Sequence, residues 1–241
     1  GESIWAFIRC DEKSPVPVAR GGRFGLDCMY TDGRLKPHDT IYKFDPKGNV
    51  VKIFGAQMFI WPHGMHVDRE GNVWVTDGAG EDAVATAAKA GVKAGHIVRK
   101  FSPDGKVLMT LGEPGVGGND ERHFRSPAGV VTAPNGDIFV ADGHGSNNRV
   151  VKYSKDGKFI KAWGKTGYAP GEFRTLHCAA MDKRGRLFVC DRSNARIQIF
   201  DQEGKHLATW HQFGMPSGIA FSVNDEDLIY VFDSESDNVD N

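Results

Sequence analysis

Apolar and polar positions alternate along this chain in short runs that return in a fixed order. "HGMHVD", from His63, has apolar residues at alternate positions. It leads through the polar turn "REGN" into a denser apolar run, "VWVTD", closing on Asp77. Period-two alternation marks a strand with one buried face, and a short continuous apolar run marks a strand buried on both. The frame recurs as "PAGVVTAPNGDIFVAD" from Pro127 and "LHCAAMDKRGRLFVCD" from Leu176. Counted from Pro62, Pro127 and Leu176, each copy takes fifteen residues to reach Asp77, Asp142 or Asp191; a fourth, "GMPSGIAF", takes seventeen from Pro216 to Asp233.

Each copy is followed by a second hairpin: "IVRKFSPDGKVLMTLG", "RVVKYSKDGKFIKAWG" and "RIQIFDQEGKHLATW". The "DGK" and "EGK" triplets are turn chemistry, because glycine takes the positive φ that a tight connection requires. An earlier "TIYKFDPKGNVVKIFG", residues 40–55, is the tail of a preceding unit. Four short antiparallel strands per repeat of about 40–45 residues predict an all-β chain, a single β-propeller domain over residues 1–241. Its parts are a partial blade at 1–57, blades at 58–112, 123–164 and 172–210, and a partial blade at 213–234. Half-blades at both ends lead us to expect a fragment of a larger ring, an open arc with a tendency to self-associate. "AGEDAVATAAKAGVKAG", residues 79–95, departs from the repeat. It is Ala-rich, with acids early, lysine later and glycine at the stop, which predicts one short helix within 80–91, either a lid over the channel mouth or a surface ornament.

Composition adds exclusions. Thirty Lys and Arg against 31 Asp and Glu leave a net charge of −1, so no global field favours nucleic acid or an anionic membrane. No apolar run reaches the length of a membrane-spanning helix. The expected partner is a small-molecule or peptide substrate. Cys10, Cys28, Cys178 and Cys190 follow no metal-binding spacing. Cys10 could pair with Cys28 in an oxidising compartment, but buried free thiols are the favoured reading of all four. The compartment stays open, a secreted or periplasmic one included.

The frames around Pro62, with "HFRSPAGV", "GEFRTLHCAAM" and "VCDRSNARIQIF", resemble the NHL-repeat propellers, six-bladed when complete, and within them peptidyl-α-hydroxyglycine α-amidating lyase. The resemblance implies cleavage of a C-terminal α-hydroxyglycine to a peptide amide and glyoxylate, with a zinc held by three histidines and a calcium in the channel. His63 and His177 fall on two zinc-ligand positions, the Met65 carbonyl on a calcium-ligand position, and Arg192 on a substrate-binding arginine. Where the family has a catalytic tyrosine this chain has His144, in "ADGHGSNNR", with one extra residue in the loop. By the same resemblance a second arginine would precede Gly1, and the third zinc histidine would lie beyond Asn241.

Topology leads to the same residues. A blade's innermost strand runs beside the axis, and an antiparallel hairpin returns to the face from which it started. His63 and His177 begin first strands and so share a face with the loops after Asp77, Asp142 and Asp191. Blades two apart in a six-fold ring lie roughly 120° apart, so alternate blades can aim imidazoles at one point. Imidazole suits zinc and leaves a position open for substrate.

The leading function is therefore a zinc-dependent lyase, with Arg192 on the substrate carboxylate and His144 as base, since its ordinary pKa lies near working pH. The alternatives are a non-catalytic NHL propeller that binds a peptide or protein on this face, and a calcium-dependent lactonase-type propeller. Bland readings stand beside these. The strand-closing aspartates are expected to be structural, accepting backbone N–H bonds. Trp61, Trp74, Trp163 and Trp210 are expected to pack between blades.

Overall fold

The computed structural model describes residues 3–8, 39–89, 91–222 and 228–234. Its strands fall into five antiparallel sheets, each built from consecutive segments. The first contains β1 (Ile4–Phe7), β2 (Ile41–Phe44) and β3 (Val50–Phe54). Three four-stranded blades follow. The first is β4 (Pro62–Val67), β5 (Val73–Asp77), β6 (Ile97–Phe101) and β7 (Val107–Leu111). The next is β8 (Pro127–Thr132), β9 (Ile138–Asp142), β10 (Arg149–Tyr153) and β11 (Phe159–Trp163). The third is β12 (Leu176–Met181), β13 (Leu187–Asp191), β14 (Arg196–Phe200) and β15 (His206–Trp210). A two-stranded sheet, β16 (Pro216–Phe221) with β17 (Ile229–Asp233), comes last. The fold is a β-propeller, as the repeat predicts.

The apolar pattern explains the order of strands within a blade. All five residues of β5, β9 and β13 are buried, because these strands are sandwiched between neighbouring blades. The outermost strands β7, β11 and β15 are exposed or half-buried at every position but Leu111. The innermost strands lie side by side, β4 on β8, β8 on β12 and β12 on β16. That contact is close: a Cβ on Gly64 would sit 2.5 Å from the Ala128 carbonyl oxygen, so the glycine after His63 is required by the backbone of the next blade. In the outer hairpins Gly105, Gly157 and Gly204 all take positive φ, as their turns demand.

Cores form between blades. Trp74, Val98, Phe124, Ile138 and Tyr153 fill one interface, and Phe139, Val150, Phe173, Leu187 and Phe200 the next. Trp163 packs on Phe139 and Phe200, and Trp210 on Phe188, so with the buried Trp74 three of the four tryptophans expected to pack between blades do so. The helix α1 (Glu81–Lys89) forms where the Ala-rich insertion predicts it. It is no ornament, because Ala83, Val84 and Ala87 are buried against Ile60 and Trp61. Among the described residues no helix is long and apolar enough to cross a membrane.

The cysteine expectation needs correction. Cys178 and Cys190 are not free thiols: they form a disulfide between direct partners on β12 and β13, with Cα atoms 4.9 Å apart. Strand register alone creates that proximity, and a Cα separation of this size is within disulfide reach. Cys10 and Cys28 lie outside the described residues.

Candidate metal centre and substrate face

The strand-closing aspartates organise the face of the propeller that carries the candidate residues. Asp77 accepts backbone N–H bonds from Ile60, Trp61 and Gly95. Asp142 accepts from Arg125 N–H, the Asn147 amide and the Arg149 guanidinium; Asp191 repeats the arrangement with Arg174, Asn194, Arg196 and Gln198. All three are fully buried. Burial raises the pKa of Asp77 and pushes Asp142 up to about 6, the hydrogen bonds opposing in part. These carboxylates are structural: each ties the end of a second strand to the segment that enters the first strand of the same blade.

That entry segment presents one carbonyl to the loop after the aspartate. Trp61 O accepts from Gly78 N–H, Ser126 O from His144 N–H, Thr175 O from Arg192 N–H and Met215 O from Ser234 N–H. Ser126 and Thr175 take left-handed backbone angles, φ 60° and 52°, an uncommon conformation for any residue but glycine and more so for a β-branched threonine. His144 and Arg192 thus occupy the same station in consecutive blades.

His63 and His177 begin β4 and β12. Each ring is oriented by the next blade: His63 Nδ1 meets Ala128 O at 2.8 Å, and His177 Nδ1 meets Ser217 O at 2.9 Å. A carbonyl only accepts, so Nδ1 carries the proton in both rings and Nε2 is the atom through which each ring could bind a metal. With Met65, these histidines line a cavity of about 220 Å³ between the innermost strands. The Met65 side chain also packs with Val73, Val75 and Phe101.

His144 joins them. The ligand atoms of His63, His144 and His177 lie within 4.8 Å of one another, and all three side chains are half-buried. Ring centroids are 4.6 Å apart for His63 and His177, 4.9 Å for His63 and His144, and 5.4 Å for His144 and His177. Three imidazole nitrogens are a donor set of the kind that could hold a late first-row divalent ion such as zinc. Sequence reasoning had placed His144 near the site but not in the cluster.

Trp61 is the residue whose role was missed. Its ring lies 4.7 Å from His63 and 4.9 Å from His144, centroid to centroid, so it walls the histidines as well as packing under α1. Its position directly before "PHG" was the available signal. Arg192 opens a single 3₁₀ turn, Arg192–Asn194, on the same face. Nearby, Arg174 stacks on the exposed ring of Tyr168.

A family model described as a 6-bladed beta-propeller matches residues 120–238. The chain is 37% identical to peptidyl-alpha-hydroxyglycine alpha-amidating lyase 1 of Drosophila melanogaster over 177 residues, 67% of this chain and 29% of the relative. It is 34% identical to NHL repeat-containing protein 3 of Homo sapiens over 179 residues, 70% of this chain and 48% of the relative. The chain therefore spans less than half the length of either relative. A solved streptogramin B lyase superposes with a TM-score of 0.55 at 18% identity, covering 84% of this chain and 59% of that one, which speaks to the fold alone. The chain is a β-propeller of the NHL-repeat kind that resembles the peptidyl-α-hydroxyglycine α-amidating lyases.

Proposed function

We propose that this propeller is a metal-dependent lyase acting on a peptidyl-α-hydroxyglycine or similar carbinolamide. The observation that carries the reading is the pair His63 and His177. Both Nδ1 atoms are committed to carbonyls of the next blade, both rings face one axial cavity, and the Arg192 loop lies on the same face. Similarity to a relative named for this lyase activity supports it.

In the reaction the substrate hydroxyl gives up its proton, its oxygen forms the aldehyde C=O, and the C–N bond breaks with its electron pair on nitrogen. Nitrogen takes a proton, and the products are a peptide amide and glyoxylate. Zinc, held by His63 and His177, would supply a Lewis acid for the hydroxyl. Arg192 holds the carboxylate through a two-pronged guanidinium contact, fixing which C–N bond faces the histidines. The Met65 main-chain carbonyl is the position for a calcium ion in the channel.

The rival is a propeller that binds peptides without catalysis, and similarity to NHL repeat-containing protein 3 is what favours it. Incubation of the zinc-loaded chain with a peptidyl-α-hydroxyglycine, with glyoxylate and amide quantified, separates the two. Glyoxylate release above the uncatalysed rate, reduced about 100-fold or more in Arg192→Ala, is the expected result. Peptide binding without glyoxylate favours the rival.

A further inference from the structure

We infer that His144 is a metal ligand rather than a general base, so that this chain builds a three-histidine centre from three consecutive blades. The inference rests on the metal reading of His63 and His177 but not on the lyase reaction. The resemblance predicts ligands from alternate blades, the third beyond Asn241, and a tyrosine where His144 stands. The geometry points elsewhere. His63 comes from the β4–β7 blade, His144 from the β8–β11 blade and His177 from the β12–β15 blade, and their ligand atoms already lie within 4.8 Å of one another.

His144 is held in place by its surroundings. Its N–H is anchored on Ser126 O, and Trp61 flanks its ring. Gly143, the extra residue of this loop, lies directly on the strand that bears His177: a Cβ there would sit 2.4 Å from Leu176 Cβ and 2.8 Å from Leu176 O. The "DG" before His144 is thus the device that brings the loop onto β12 and its imidazole beside that of His177.

The chemistry of the set favours an ion. Among the described residues the group is made of three imidazoles, two of them with Nδ1 bound to a carbonyl, and their ligand atoms lie within 4.8 Å of one another. Uncharged nitrogen donors without carboxylates select zinc, cobalt or copper over calcium or magnesium. Ligands from three consecutive blades occupy one side of the axis.

The test uses the full chain, stripped of metal with a chelator. Zinc binding is measured by calorimetry, and Co²⁺ is the spectroscopic probe. The expected results are one ion per chain, and a loss of affinity in His144→Ala beyond the roughly 10–100-fold that removal of an outer hydrogen-bond partner costs, with circular dichroism unchanged. His144→Cys gives the positive signature: the Co²⁺ complex gains a thiolate-to-metal charge-transfer band absent from wild type. Zinc affinity and Co²⁺ spectrum unchanged in His144→Ala, no new band in His144→Cys, or no zinc bound by wild type would each overturn the inference. Glyoxylate release is scored separately, so a chain that binds zinc through His144 and cleaves nothing sinks the lyase reading and leaves this one standing.

Discussion

His144 and Arg192 occupy one station in consecutive blades, each donating its backbone N–H to the residue that precedes the innermost strand, His144 to Ser126 O at 3.1 Å and Arg192 to Thr175 O at 3.3 Å. Arg192 reaches the station one residue after its aspartate and His144 two, and the difference is Gly143. Gly78 and Ser234 fill the station in the flanking blades. A ring of equivalent stations carrying glycine, imidazole, guanidinium and hydroxyl is how one repeat offers different chemistry at each point around a channel.

Gly143 is accordingly a positioning residue. A side chain there overlaps Leu176, and the loop must lift. Gly143→Val is expected to cost about 1–3 kcal/mol of stability, as overpacking does. It should also weaken zinc binding although all three histidines remain. Calorimetric titration of the folded variant checks this; unchanged affinity would mean that the loop does not place His144.

The Asp191–Arg196 pair holds the Arg192 turn. Arg196 Nε lies 2.6 Å from a fully buried Asp191 carboxylate, and the same guanidinium donates to the carbonyls of Tyr168, Ala169 and Glu172. Arg196→Met leaves that charge buried without its cation and should cost about 3–5 kcal/mol. Asp191→Asn combined with Arg196→Met should cost less than Arg196→Met alone. Urea midpoints of the three variants test the ordering.

Stability should fall in mild acid through His66. Burial holds its pKa well below the ordinary value, at about 4, with Asp68 opposing, and its ring bonds to Thr132. The unfolded chain takes up the proton near 6.5 and the folded one only near 4. The contribution is therefore complete above about 6.5 and lost as pH falls toward 4, at most about 3 kcal/mol. Asp142, pushed up to about 6, works in the opposite sense between 4 and 6, so the comparison must isolate His66. Denaturation of wild type and His66→Gln across this range should show a shallower acid loss in the variant; parallel curves would contradict the assignment.

Reduction of the disulfide should act on the proposed metal centre as well as on the fold. Cys178 follows His177 on β12 and is tied across to Cys190, next to Asp191. Opening a loop of this size should cost roughly 2–4 kcal/mol. A lower melting temperature under reductant, accompanied by weaker zinc binding, is the expected result. Alkylation of the reduced thiols followed by a zinc titration separates the local effect from global unfolding.

Much of this molecule was legible in the chain alone. Blades can be counted because strand and turn chemistry is local: alternation, "DGK" turns and strand-closing aspartates each act over a few residues. For the same reason His63 and His177 could be singled out by their matching places in separate repeats, and α1 by its composition. Tertiary structure decided what depends on residues far apart in sequence. The Cys178–Cys190 bond arises from strand register, since twelve intervening residues say nothing about which side chains face each other. Trp61 reads in the sequence as inter-blade packing, and only the fold sets two imidazoles against it. The meeting of His144 with His63 and His177 depends on a one-residue difference in loop length and on the close approach of Gly143 to Leu176. Such contacts are fixed by how blades pack around an axis, and no periodicity in the sequence records that.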